Sequence, residues 1–245
     1  MKRLLLILIL LFPAITLGLW VYRGMSMNHK NSKPSAELSA EKTVADRLQE
    51  YGPAARARLK PFFDAKQVPY PPARLTLVGL KAEKTLEIYA AGANQDLQFI
   101  RAYPILGASG GPGPKLREGD RQVPEGIYPV EWLNPNSLYH LSFRIGYPND
   151  FDRENAKLES RTNLGGDIML HGGSGSVGCL AMGDPASEDF FVLAADTGIS
   201  NITIILSPVD FRQGKTVTIT DTFPKWTDGL YQTIKAKLNE LPPDK

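Results

Sequence analysis

The chain has 245 residues, 42% hydrophobic and 22% charged, an ordinary globular composition with room for one main domain and flanking segments. Its 28 basic and 26 acidic residues leave a formal charge of +2. That balance excludes a nucleic-acid partner, which calls for a basic excess or stripe, and a single cysteine excludes an internal disulfide.

At the N-terminus, Lys2 and Arg3 precede an uncharged apolar run from Leu4 to Tyr22 that ends at Arg23. As a helix this run would be ~28 Å long, close to the ~30 Å hydrocarbon thickness of a bilayer. A cleaved signal peptide would use Leu4–Phe12 as its apolar core, with Pro13 ending it and cleavage near Gly18. An uncleaved inner-membrane anchor would use the whole run, with Trp20 and Tyr22 at the interface. Apolar residues past Gly18 and the lack of an A-x-A site favour the anchor, and both readings export the rest of the chain. Residues 1–24 are thus read as signal-anchor or signal peptide. Residues 25–42, polar and rich in Ser, Lys and Asn, are read as a flexible spacer.

Residues 43–66 read as a helical lead-in: Thr43–Lys60 is rich in helix formers, and Gly52-Pro53 is expected to break or kink it. Residues 67–245 read as a β-rich domain. Strands are predicted at Leu75–Val78, Thr85–Tyr89, Leu97–Tyr103, Gly126–Glu131, Leu141–Ile145, Asp167–Leu170 and Asn201–Leu206, with a less regular one at Thr216–Thr220. Two helices are predicted among them. Ser187–Thr197 takes Ser187 as N-cap and Gly198 as stop, and Pro224–Leu241 places Trp226, Leu230, Ile234, Leu238 and Leu241 at near-helical spacing. The pattern fits a sandwich or partly closed barrel.

The stretch that carries chemistry is Asp167–Asp184. An apolar strand ends at His171, a Gly/Ser-rich loop follows, and then come Gly178 and Cys179. Cysteine attacks as thiolate, of which a free thiol holds only a few per cent at neutral pH, so an imidazole beside it would take the proton and later protonate a leaving amine. Bare backbone near the thiol suits an oxyanion, which makes the amides of Gly178 and Cys179 its candidate donors. The bland reading makes Cys179 an inert buried thiol and the loop an ordinary one. A zinc site would have only His29, His140 and His171 beside the thiol, with His29 in the spacer and no carboxylates at ligand spacing, so no metal or cofactor is expected.

Ile168-Met169-Leu170-His171-Gly172 followed by Ser176-Val177-Gly178-Cys179 resembles the signature of the L,D-transpeptidase catalytic domain family, the YkuD type. Upstream, Gly113–Tyr128, with its Pro124-Glu125-Gly126, resembles that family's loop into a central strand. The resemblance spans about Arg74–Leu206. It implies a mainly β fold with α, a β-sandwich or partly closed barrel with a helix after the catalytic loop and a C-terminal helix. It also implies a cysteine acyl-enzyme at Cys179, with His171 as base and the Gly172 carbonyl orienting its ring. Seven residues lie between His171 and Cys179 where the common branch has a longer loop, and Val177 stands where that branch has a second histidine. The compact pattern, with Leu141-Ser142-Phe143-Arg144 and Tyr147-Pro148-Asn149 upstream, resembles the YafK-like branch. That branch is associated with hydrolysis that releases lipoprotein tethered to peptidoglycan through diaminopimelate.

The expected partners are therefore peptidoglycan stem peptides and peptidoglycan-tethered lipoprotein, in a periplasmic enzyme held by residues 4–22. The expected activity is hydrolysis of a stem-peptide amide through a thioester. Its alternatives are transpeptidation and a non-catalytic wall-binding module. Ser176, Arg144 and Arg161 are candidate substrate-binding residues, the arginines through bidentate pairing with carboxylates, with structural ion pairs as the alternative. Asp184 either begins the next helix or assists catalysis. His140 reads as structural, and the Lys115–Arg121 charges as a solvated loop or a lid.

Overall fold

The computed structural model describes residues 41–243, so the expected membrane segment and most of the spacer lie outside the described residues. Among the described residues no helix is long and apolar enough to cross a membrane. The first element is helix α1, Val44–Ala65, opened by a capping box in which Thr43 accepts from the Asp46 amide. Contrary to the expected break at Gly52-Pro53, α1 runs on through Pro53 and Pro61. Each proline removes one backbone bond, but the face carrying Gly52, Ala55, Leu59 and Phe63 is buried and holds the helix in place.

Strands β1 (Arg74–Leu80), β2 (Thr85–Ala91), β3 (Gln98–Pro104), β4 (Gly126–Ser137) and β5 (His140–Ile145) follow, then helix α2 (Asp150–Leu158). Short strands β6 (Met169–His171) and β7 (Leu180–Ala181) precede helix α3 (Asp184–Thr197), strand β8 (Ile202–Ser207) and helix α4 (Thr227–Asn239). The strands form one sheet in the order β3-β2-β1-β8-β4-β5-β6-β7, which curls into a half-barrel. The β-rich fold, the helix after the catalytic loop and the C-terminal helix are all present.

Strand β1 is buried on both faces, and that explains its nearly unbroken apolar run. Leu75 and Leu77 join the core that includes Leu59 and Phe63 of α1 and Phe190 and Leu193 of α3. Val78 and Leu80 face the other way, into the core closed by Leu230, Ile234 and Leu238 of α4. Arg56 pairs with Asp196, and Arg58 with Glu188 and Asp189, fastening α1 to α3.

Four further expectations change. Residues 214–220 form no strand: they lie mostly exposed, and their alternation has no sheet edge to join. Helix α3 starts at Asp184, with Gly183 as N-cap, so Ser187 lies inside it and its hydroxyl donates to the Asp184 carbonyl. Helix α2 was not anticipated, although Asn149 and Asp152 form a capping box at its start. Lys115 is only 5% exposed and pairs with Asp120 at 2.7 Å, so the Lys115–Arg121 segment is not uniformly solvated.

The segment between β3 and β4 is pinned from beneath. Buried Lys81 donates to Glu125 Oε1 at 2.9 Å and to the carbonyls of Val123 and Gly113. Glu125 also accepts from the Gly113 amide and, across the sheet, from Tyr231 of α4. Glu125→Ala leaves a buried ammonium unpaired, so urea denaturation should show a loss of about 3–5 kcal/mol. The double variant Lys81→Met/Glu125→Leu should recover most of that loss.

Candidate active site

Strands β6 and β7 run parallel with Leu170 opposite Leu180 and His171 opposite Ala181. One step back along this register, Met169 stands beside Cys179, and its amide donates to Cys179 Sγ at 3.2 Å. Met169 and His171 are two apart on one strand and share a face. The Met169 contact thus sets the thiol beside the strand that ends at His171. Cys179 is partly buried, and its Sγ–H donates to the Asp167 carbonyl at 3.4 Å.

His171 is 3% exposed, and its Nδ1 lies 2.7 Å from the Gly172 carbonyl oxygen. A carbonyl only accepts, so Nδ1 carries the proton and Nε2 keeps its basic lone pair. Nε2 lies 3.3 Å from Ser176 Oγ, where the hydroxyl donates. The hydrogen bonds of the thiol and of the basic nitrogen therefore go to separate partners. The Tyr139 ring packs over His171 with centroids 4.8 Å apart.

Burial lowers the His171 pKa below the ordinary imidazole value, opposed by the Gly172 carbonyl. Burial also raises the Cys179 thiol, with the Asp167 charge adding to it and the Met169 amide and Lys115 opposing. Both groups are thus held neutral, and the proton stays on sulfur.

The loop that joins them is backbone-tied. The Gly172 amide donates to the Tyr139 carbonyl and the Gly173 amide to Asp184 Oδ1. A side chain at Gly172 would strike Asp184 Oδ1 and the Tyr139 carbonyl, so this approach requires glycine. Asp184 thus does two things at once, beginning α3 and holding the loop. Gly178 has φ +82°, a left-handed conformation that favours glycine. Its amide donates to Ser109 Oγ at 2.8 Å, and Ser109 in turn donates to the Arg121 carbonyl. Ser109 and Tyr139 were missed from sequence, since neither lies in the His-Gly or Gly-Cys elements.

Arg144 sits opposite Met169 on β5, with Nε 3.2 Å from Glu131 and a guanidinium nitrogen 3.6 Å from Asp167. Its Nε is buried without a hydrogen bond. Arg161 is engaged elsewhere, donating to Glu159 and the Leu116 carbonyl. His140 pairs with Glu188 and packs edge-on to Tyr51. Among the described residues no three His, Cys, Asp or Glu converge as a metal centre would require.

No family model matches the chain. Over 113 residues it is 38% identical to "Putative L,D-transpeptidase YafK" of Escherichia coli K12, and equally to the O157:H7 counterpart. That match takes in 45% of this chain and 43% of the relative, so the chain spans less than half the length of the curated relatives it matches. Among solved structures, the helical cell shape determining protein Pgp2 (K307A mutant) of Campylobacter jejuni is similar at 18% identity and TM-score 0.45, over 68% of this chain and 54% of that one. Mycobacterium tuberculosis L,D-transpeptidase 1 is similar at 15% identity and TM-score 0.32, over 55% of this chain and 62% of that one.

Because burial holds the thiol protonated, the iodoacetamide reaction of Cys179 should have its pH midpoint above that of a cysteine in a short peptide. Asp167→Asn, which removes a neighbouring charge, should move that midpoint down.

Proposed function

We propose, from the premise that this chain is a YafK-like relative of the L,D-transpeptidases, that it hydrolyses an amide of the peptidoglycan stem peptide through a thioester on Cys179. What supports this reading is a thiol hydrogen-bonded to the Met169 amide, two residues before a His171 whose Nδ1 is tied to the Gly172 carbonyl and whose Nε2 is left to act as base.

In the first half-reaction the thiol turns from the Asp167 carbonyl toward His171 and gives its proton to Nε2 while sulfur adds to the amide carbonyl carbon. The new oxyanion takes the Gly178 amide in place of Ser109 Oγ, beside the amide of Cys179. Nε2 then protonates the departing amine, the C–N bond breaks and the thioester forms. In the second half-reaction Nε2 takes a proton from water, the hydroxide adds, and the C–S bond breaks. The sulfur recovers its proton from the imidazolium. Arg144, one strand from the thiol and ion-paired with Glu131 and Asp167, would exchange one of those partners for a carboxylate of the stem peptide. The enzyme works in the cell envelope, on stem peptides or lipoprotein tethered to them, held to the membrane through residues 4–22.

The short loop between His171 and Cys179, with Ser174, Gly175 and Val177 exposed, supports water as the acceptor. The family resemblance keeps transpeptidation as the second reading. Cys179→Ala should abolish product formation from tethered-lipoprotein fragments, and His171→Gln should lower kcat by roughly 10²–10⁴-fold. Mass spectrometry in the presence of a free amine acceptor separates the two activities: a cross-linked product would sink the hydrolase reading. A base must be neutral to act, and the His171 pKa is lowered, so the acid limb of kcat/KM should fall below the ordinary imidazole value of 6.5.

A further inference from the structure

We infer that the groove between α1, β3 and the start of α3 is a binding site for a peptide carboxylate, received by the edge of the Arg101 guanidinium. The groove, about 530 Å³ in volume, is lined by Phe62, Arg101, Tyr103, Leu106, Met182 and Gly183 among others. It lies outside the thiol–imidazole site but adjoins β7, the strand that follows Cys179. The Leu106 and Gly107 amides both donate to the Ala181 carbonyl, and the Met182 amide donates to the His171 carbonyl.

Two aromatic rings pack against the Arg101 guanidinium, whose carbon is 4.2 Å from the Phe62 centroid and 4.0 Å from the Tyr103 centroid. Stacking of this kind occupies the faces of the cation and leaves its in-plane N–H edge for hydrogen bonds. Among the described residues Arg101 makes no hydrogen bond or ion pair, and its Nε is shielded from solvent and unpaired. Every other partly buried arginine described here (Arg47, Arg56, Arg58, Arg144, Arg161 and Arg212) has a carboxylate within 4.0 Å. Asp189 also lines the groove and its charge acts on Arg101, but without a hydrogen bond to it: one Asp189 oxygen accepts from Arg58 and the other from the Tyr103 hydroxyl. The groove therefore holds a preoriented fork with no acceptor, and a carboxylate matches that fork with two parallel hydrogen bonds. Phe62 at 39% exposure and Leu106 at 52% offer apolar surface beside it, which suits the aliphatic body of a peptide better than an inorganic anion.

The test takes from the proposed function only the choice of probe, a diaminopimelate-containing stem tripeptide. Isothermal titration is run on Cys179→Ala protein, in which nothing turns over, with the tripeptide as free acid and with its carboxylates amidated. Adding Arg101→Met should weaken binding of the acid at least tenfold and leave binding of the amidated peptide unchanged. Arg101→Lys, which keeps the charge without the fork, should fall between and guards against loss of the fold, which a thermal melt reports. Equal binding of the acid with and without Arg101→Met, equal losses for both peptides, or no measurable binding of the acid would overturn the inference. A wild-type enzyme that turns nothing over, in a protein whose Arg101 still discriminates acid from amide, would overturn the hydrolase reading alone.

Discussion

Two residue pairs in parallel register, Leu170 with Leu180 and His171 with Ala181, set the position of everything chemical in this protein. A parallel pair needs a connection that returns the chain to the same end. Here that connection is a loop of glycine and serine instead of a helix. The loop closes because its amides find fixed partners at Tyr139 and Asp184, each at an element end. Strand β5 stiffens the arrangement from the other side, pairing Ser142 with His171 and Arg144 with Met169. Cys179 thus stands just before one short strand and His171 at the end of its neighbour, both placed by backbone pairing.

Electrostatics around this frame keep the site quiet until something enters it. Burial disfavours the charged forms of both the Cys179 thiol and the His171 ring. The neutral form follows, with the sulfur proton on the Asp167 carbonyl and the basic nitrogen capped by Ser176. The amide offered to an oxyanion is likewise occupied, by Ser109. Each of these contacts is a single neutral hydrogen bond, exchangeable at a cost of ~1 kcal/mol.

Much of this could be read from the residues. The runs at Leu75–Val78, Thr85–Tyr89 and Asn201–Leu206 are long, apolar and bounded by turn residues, and they became the buried centre of the sheet. His171 and Cys179 stand out in the sequence because their residue types and glycine-rich surroundings suit one chemistry, and the structure brings their segments together through the Met169–Cys179 contact. The misses share a cause, which is long-range contact. Pro53 ends an isolated helix, but α1 is docked on α3, and that docking does not show in a local window. Thr216–Thr220 alternates like a strand, but alternation needs an edge to pair with. Ser109 and Tyr139 reach the site from separate segments, at sequence distances no motif spans.

The hydroxyl of Tyr231 on α4 donates to Glu125 Oε2, while Glu125 Oε1 holds Gly113 and Lys81. The last helix of the described chain thus reaches a loop that begins more than a hundred residues earlier, and the loop's Ser109 accepts from the Gly178 amide. Lys81 and the Gly113 amide hold Glu125 without help from α4, and the Tyr231 bond adds the tie that joins the loop to that helix.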